Sequence, residues 1–437
     1  MKNPKVSVVM PVNNREPFIC SAINSLLNQT FKDFELIIVD DGSTDNTVKL
    51  IKQYNDNRIV LIQNKKRLGI ANSRNIGYKN AKGEYIAISD SDDINLPNRL
   101  ERQAAFLDSH RDVDVVSCWI KEFDENKNAY IIKYSSNNDI IRANLVFNPS
   151  IPAFMMFRKD EIVKCHCLYH DESFEAAVDY EWYTSLPANI KISYIAEPLY
   201  LYRRHNNQIS TNGFNKQQFY ANKIRVRELA KIGIIPTEEE LKIHYFLSFV
   251  SRAVIDKIDF NDLFNWCEKL IAANDMYQHY NQLEFEKNVL LKAYGLIERM
   301  DIYEKNIFDL FNRRFGKSSV FPNHKINIHA ILRKILKNDK AIMVFGTKRL
   351  GYLVKKELDN KGIFIQGFLD NKTSINNKVL DGAIIRNPSR IDFSMASYTV
   401  IVTILSESRF EVKSTLIKEY GLKTENVLTI DDFLINN

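Results

Sequence analysis

No stretch of this 437-residue chain approaches the roughly 18 consecutive apolar residues that a membrane span needs. The opening run MKNPKVSVVMPV is short and holds a proline, so it lacks the core and cleavage site of a signal peptide. A cytoplasmic protein is expected, soluble or peripheral at the inner face of the plasma membrane. Cysteines are few: Cys20, Cys118, Cys165, Cys167 and Cys267. An odd number at irregular spacings argues against a disulfide framework and favours a reducing compartment. Cys165-His166-Cys167 with His170 invites a zinc reading, but structural zinc draws paired ligands from two clusters and no second cluster exists. A strand or loop edge is the plainer reading there. No dense Lys/Arg stripe stands out, and a net charge of +6 is too mild to argue for nucleic acid. That charge is compatible with loose attraction to an anionic membrane face or to anionic substrates. Internal repeats and low-complexity segments are also missing.

The pattern that is present belongs to a folded α/β protein. The length exceeds one ordinary core, so two or three domains are expected. Val6–Met10, Glu35–Val39, Arg58–Gln63 and Tyr85–Ser89 read as buried strands. Helical patterns separate them: Phe18–Leu27, a helix started by Ser43-Thr44-Asp45, and Ile70–Ala81. A β-α-β-α order implies a mostly parallel sheet flanked by helices, and ligands on such sheets bind beyond the carboxyl ends of the strands. From about residue 215 long helical periodicity takes over: Phe219–Ile232, Thr237–Ile255, Phe260–Asn274 and Leu283–Ile297, with Pro236 and acids at one helix start. A small second α/β region follows, with strands Ala341–Phe345, Phe364–Leu369, Tyr398–Leu405 and Val427–Ile430. The expected domains are therefore 1–214, 215–337 and 338–437.

Strand ends carry the candidate chemistry. Asp90-Ser91-Asp92-Asp93 directly follows an apolar strand, and crowded carboxylates repel one another unless a cation is present. Hard oxygen ligands suit Mg²⁺ or Mn²⁺, which can bridge a diphosphate. The bland alternative is an acidic loop capping the next helix. Asp40-Asp41-Gly42-Ser43 ends the second strand and Pro11-Val12-Asn13-Asn14 the first; their carboxylate and amide groups suit the edge of a nucleobase. Arg74 and Asn75 suit a phosphate or base contact.

The ordered strings VSVVMPVNNRE, SLLNQTFKDFELIIVDDGSTDNT and GIANSRNIGYKNAKGEYIAISDSDD resemble the family 2 glycosyltransferases with the GT-A fold, over roughly residues 5–210. The resemblance implies inverting transfer from a nucleotide-sugar, commonly a UDP-sugar, with Mg²⁺ or Mn²⁺. It implies that Asp40 and Asp41 contact the base, with Pro11 and Asn13 beside them. Asp90 and Asp92 are then the aspartates of the DxD motif, with Asp92 or Asp93 on the metal. Asn13 departs from the family, which usually has Tyr there, and this leaves the base identity open. His170-Asp171-Glu172-Ser173-Phe174 and Val178-Asp179-Tyr180-Glu181-Trp182 resemble the second half of the site. Val178 stands where the family has Glu, and Asp179 keeps the acid that the family uses as base; a helix cap is its bland alternative. Trp182 fits an acceptor groove or the core. Leu199–His205 with Gln208-Ile209-Ser210 resembles the closing segment, in which Arg204 and His205 clamp the diphosphate or ligate the metal; the alternative is a basic strand end.

Gly346-Thr347-Lys348-Arg349-Leu350-Gly351 lies between a strand and a helix, and Asp370 ends the next strand, in the layout of a Rossmann site. The middle glycine is missing, and a side chain there would crowd a pyrophosphate. A degenerate scaffold or a partner-docking domain over 338–437 is the favoured reading. The function expected is transfer of a sugar to a glycan or lipid-linked glycan acceptor in cell-surface polysaccharide synthesis. A nucleotidyltransferase and a non-catalytic sugar-nucleotide-binding module are the alternatives, the first lacking its glycine-rich triphosphate loop here.

Overall fold

The structure, a computed structural model, describes residues 3–123, 129–148, 154–204, 214–249, 259–299 and 305–315, and within the C-terminal part 341–346, 363–370, 379–380, 383–391, 398–402, 427–429 and short helical stretches between 351 and 423. Two compact units result: Met1–Val254 with Asn265–Lys292, and Ile255–Phe264 with Ala293–Asn437. The helices expected over 215–337 are shared out between them.

The first unit begins with the alternation read from sequence: β1 (Val6–Val12), α1 (Ile19–Leu27), β2 (Phe34–Asp40), α2 (Thr47–Ile51), β3 (Ile59–Gln63), α3 (Ile70–Asn80) and β4 (Tyr85–Ile88). Then come β5 (Ile94–Asn95), α4 (Arg99–Ser109), β6 (Val115–Phe123), β7 (Ala129–Ile132), α5 (Asn138–Asn144), β8 (Met156–Arg158), α6 (Lys159–Lys164), α7 (Val178–Ser185) and β9 (Ile192–Arg203). The strands form one sheet in the order β3-β2-β1-β4-β8-β6-β9-β5, with β7 against β6. The first four are mutually parallel. β8 is antiparallel to β4 and β6, β6 and β9 are parallel, and β5 is antiparallel to β9. The expectation of a mostly parallel sheet thus describes the first half; the second half is mixed.

β1 is buried along its whole length because both faces are covered, which is why it is apolar apart from Ser7, whose hydroxyl donates to Glu35 Oε1 at 2.6 Å. Its residues still alternate: Val6, Val8, Met10 and Val12 pack with Ile19 and Ile23 of α1, while Val9 faces Tyr78 of α3 in a second core. Gly77 permits that second packing. A Cβ at this position would stand 2.3 Å from Val9 Cγ1, so only glycine lets α3 lie this close to β1.

The helix expected to start at Ser43-Thr44-Asp45 starts instead at Thr47. The polar residues before it hold the loop after β2: Ser43 N–H donates to Asp40 Oδ1 at 3.2 Å and Thr44 N–H to Asn14 Oδ1 at 2.8 Å. Beyond β9 come α8 (Phe214–Lys231), α9 (Glu238–Ser248), α10 (Phe260–Tyr277), α11 (Gln282–Arg299) and α12 (Lys305–Phe315). The start expected near Pro236 is a capping box, Thr237 accepting from Glu240 N–H while the Glu240 carboxylate takes the Thr237 N–H.

The second sheet contains β10 (Ala341–Phe345), β11 (Gly367–Leu369), β12 (Val379–Leu380), β13 (Ala383–Arg386), β14 (Tyr398–Val402) and β15 (Val427–Thr429), in the order β12-β13-β11-β10-β14-β15. β12 is antiparallel at the edge; the other five run parallel in chain order 3-2-1-4-5, the Rossmann arrangement. Gly346, at φ 107°, turns the chain after β10 and donates its N–H to Leu369 O at 2.9 Å. Thr347 to Leu350, including Lys348, lie outside the described residues. Among the described residues no helix is long and apolar enough to cross a membrane.

Candidate active site

The rim formed by the ends of β1, β2 and β4 collects most of the expected site residues. Asp41 N–H donates to Val12 O at 2.8 Å, joining the ends of β1 and β2, and Asn13 Nδ2 donates to Asp41 O at 2.8 Å. Pro11 is buried within β1, and Asp40 is buried beneath the Gly42-Ser43 turn. The Asp41 carboxylate accepts three hydrogen bonds: from Leu68 N–H at 2.7 Å, Gly69 N–H at 2.8 Å and Asn64 Nδ2 at 3.0 Å. It therefore clasps the segment 64–69 that leads into α3.

α3 delivers Arg74, which is 1% exposed and sits one turn before Gly77. Its Nη1 lies 2.5 Å from Asp179 Oδ1 and its Nη2 3.5 Å from Asp90 Oδ1. Burial opposes the charge on Arg74, yet Asp179 and Asp90 hold its pKa above the ordinary value. Arg74, expected at a phosphate or base, is paired here with two carboxylates. Next to it, Asn75 clips the 170–172 loop: it accepts from His170 N–H at 2.8 Å and donates to His170 O at 3.0 Å.

The Asp90–Asp93 loop is crowded as expected. Burial, then Asp92 and Asp179 working against Arg74, push the Asp90 carboxyl up to about 6. Asp93 is buried and pushed well above the carboxylate range by burial and by Asp92 and Asp90. Its Oδ1 accepts Arg203 N–H at 2.8 Å, while its Oδ2 is enclosed without a partner. Asp92 faces the rim, 14% exposed, with Arg15 Nε 3.1 Å from its Oδ2. Arg203 also donates from Nε to Asp92 O at 2.9 Å. Below the loop, Asp90 N–H donates to the Tyr200 hydroxyl at 3.1 Å, and Arg99 donates to Ile88 O at 2.7 Å and to Asn95 Oδ1. Arg15, Arg99, Tyr200 and Arg203 were not singled out by sequence. Each reaches the loop through a partner far along the chain or from beneath it, which a local motif does not reveal.

Asp179 opens α7 after Ala177, whose left-handed φ of 56° turns the chain into the helix. It is 31% exposed, and among the described residues its Oδ2 takes no hydrogen bond. Trp182 belongs to the core, not to an open groove: it is buried and donates Nε1–H to Cys167 O at 2.8 Å. His170 is also internal, 3.0 Å from the Tyr78 hydroxyl, and burial and Arg74 push its pKa well below the ordinary value. Arg204 engages Glu122 and donates its N–H to Phe123 O at 2.8 Å. His205 and Gln208 to Ser210 lie outside the described residues. All five cysteines are free, and among the described residues no three His, Cys, Asp or Glu side chains form a ready metal site.

Acids at the ends of β2 and β4 thus gather on one rim of a helix-flanked α/β sheet, beside the buried Arg74, where the GT-A resemblance places its site. The sequence model of glycosyl transferase family 2 matches residues 7–174. An uncharacterized glycosyltransferase of Methanocaldococcus jannaschii is 35% identical over 238 residues, covering 51% of this chain and 78% of that protein. An uncharacterized glycosyltransferase of Haemophilus influenzae is 30% identical over 320 residues, covering 70% and 97%. The chain belongs to glycosyl transferase family 2. A crystal structure of S. aureus TarS 1-349 in complex with UDP-GlcNAc shares 20% identity with a TM-score of 0.46, covering 67% of this chain and 91% of that one. At that level the likeness adds nothing to the family assignment, which rests on the sequence relatives.

Proposed function

We propose that this glycosyltransferase is an inverting enzyme that moves a sugar from a nucleotide-diphosphate donor, a UDP-sugar, to a hydroxyl of a glycan or lipid-linked glycan in cell-surface polysaccharide synthesis on the cytoplasmic side. The observation that carries the reading is the placement of a part-exposed Asp179 and the Asp90–Asp93 loop on either side of Arg74. In direct displacement the acceptor oxygen bonds to the anomeric carbon as the bond to the diphosphate oxygen breaks. The bonding pair leaves with the diphosphate, and the acceptor proton passes to Asp179 Oδ2. Pro11, Asn13, Asp40 and Asp41 form the base end of the donor cleft, Asp41 shaping it through the segment it clasps.

The donor set fits a hard divalent cation. Despite the arginines around them, burial and mutual repulsion hold Asp90 at about 6 and Asp93 well above the carboxylate range, and one Asp93 oxygen is enclosed without a partner, so a cation would relieve them. Asp92 and Asp93 would hold Mg²⁺ or Mn²⁺, with His205 as the third protein ligand and donor phosphates and water completing the shell. When bound, such an ion draws charge from the departing diphosphate. Arg204 belongs with the segment that closes over the donor, and 338–437 is a degenerate Rossmann-like scaffold or a docking domain for a protein partner.

The test is a screen of UDP-, GDP- and dTDP-sugars with Mn²⁺, following nucleotide release. Release of a nucleoside diphosphate supports the reading. Pyrophosphate release would mean nucleotidyl transfer, and no turnover across the panel would leave a binding module.

A further inference from the structure

Arg74 stands in a position that its sequence context did not suggest. Its guanidinium is closed off from solvent, its Nη1 is on Asp179, its Nη2 is on the Asp90 side, and its Nε is enclosed without a partner. A planar guanidinium presents its donors in a fixed fork, so two carboxylates on one fork are held in a set relation to each other. Asp179 comes from the first turn of α7 and Asp90 from the end of β4; among the described residues, Arg74 of α3 is the cation paired with both. α3 is itself fixed against β1 through Gly77 and at its start through the Asp41 clasp.

We propose that Arg74 is a positioning residue for sugar transfer: it pins Asp179 Oδ1, aims the second oxygen at the acceptor hydroxyl, and ties that aim to the donor side through Asp90. The inference rests on the reading of Asp179 as the base. Holding a base within reach of its proton accelerates a step by removing unproductive orientations, so loss of the pin lowers turnover more than it weakens donor binding. Lysine preserves the charge but is a point donor on a flexible stem and does not reproduce the fork.

The experiment uses the full chain and hydrolysis of the UDP-sugar accepted in the donor screen, with water in place of the acceptor and UDP release as the readout. Arg74→Lys is expected to lower kcat by about 10- to 100-fold while KM for the UDP-sugar stays within about 3-fold. In the Asp179→Asn background the same change is expected to remove less than about 2-fold of the residual turnover, because its effect passes through Asp179. A merely structural arginine would lower the melting temperature and leave kcat per folded molecule unchanged. A direct donor contact would raise KM and give losses that multiply in the double variant; either result overturns the inference. If Arg74→Lys does not fold, Arg74→Gln is read in the same way. Wild-type turnover by Asp179→Asn removes the base reading and this inference together. An inactive Asp179→Asn beside an Arg74→Lys with wild-type kcat removes this inference alone.

Discussion

Trp266 donates its indole N–H to Nδ1 of His244 across 3.3 Å, and this fixes the state of the imidazole. An indole nitrogen only donates, so Nδ1 must accept and the ring proton sits on Nε2, which donates to Val146 O at 2.8 Å. Phe147 stacks on the ring at 4.8 Å. A second proton would have to enter against the indole N–H, and burial already pushes the His244 pKa down to about 3. The unfolded chain takes up that proton near the ordinary value of about 6.5 while the folded chain refuses it, so stability falls with pH between these values. The slope is about 1.4 kcal/mol per pH unit inside the window. Buried carboxyls such as Glu228, raised by burial, act in the opposite sense, so the comparison must be made with a variant. His244→Gln should flatten the loss of stability between about pH 6.5 and 4.5, measured by urea unfolding. Parallel curves for the two proteins would refute the assignment.

For Asp179→Asn the expected outcome is intact UDP binding by calorimetry with transfer reduced by at least about 100-fold, the usual scale of a general base. Normal turnover would remove Asp179 as the base.

Asp92 faces the rim and does not lie in the core, so Asp92→Asn should leave the melting transition near that of the parent while transfer is lost. Chelation of the parent should have the same effect, reversed by Mn²⁺. Full activity after exhaustive chelation would refute the cation reading.

Gly77→Val drives a branched side chain into Val9, which is fully buried and has no flexible end to yield. Overpacking of this kind costs about 1–3 kcal/mol. The expected result is a lower unfolding midpoint and, because α3 carries Arg74, a lower kcat in the protein that remains folded. An unchanged midpoint would show that α3 can move off β1 without penalty.

The parts of the fold that sequence revealed are those whose burial is local. β1, β2 and β4 are covered on both faces, so each is mainly apolar, interrupted only by Ser7 in β1 and by Glu35 and the terminal Asp40 in β2, and Ala341–Phe345 is legible for the same reason. The strands of the mixed half were not legible. β8 is three residues long, and β9 carries Pro198 where its pairing with β6 slips register around Trp119. The same division runs through the site. Asp90, Asp92 and Asp93 announce themselves because they are adjacent. Arg15 with Asp92 and Arg74 with Asp179 pair across 77 and 105 residues, and no local pattern marks such partners. Trp182 could not be placed from sequence because an aromatic after an acid suits a groove and a core equally; its hydrogen bond to Cys167 O decides for the core.

The seat of Asp93 comes from Arg203, 110 residues later in the chain. A chain halted at residue 190 carries every acid of the loop and none of the strand that holds it. Synthesis from the N-terminus therefore delivers the acidic turn well before the strand whose backbone seats it.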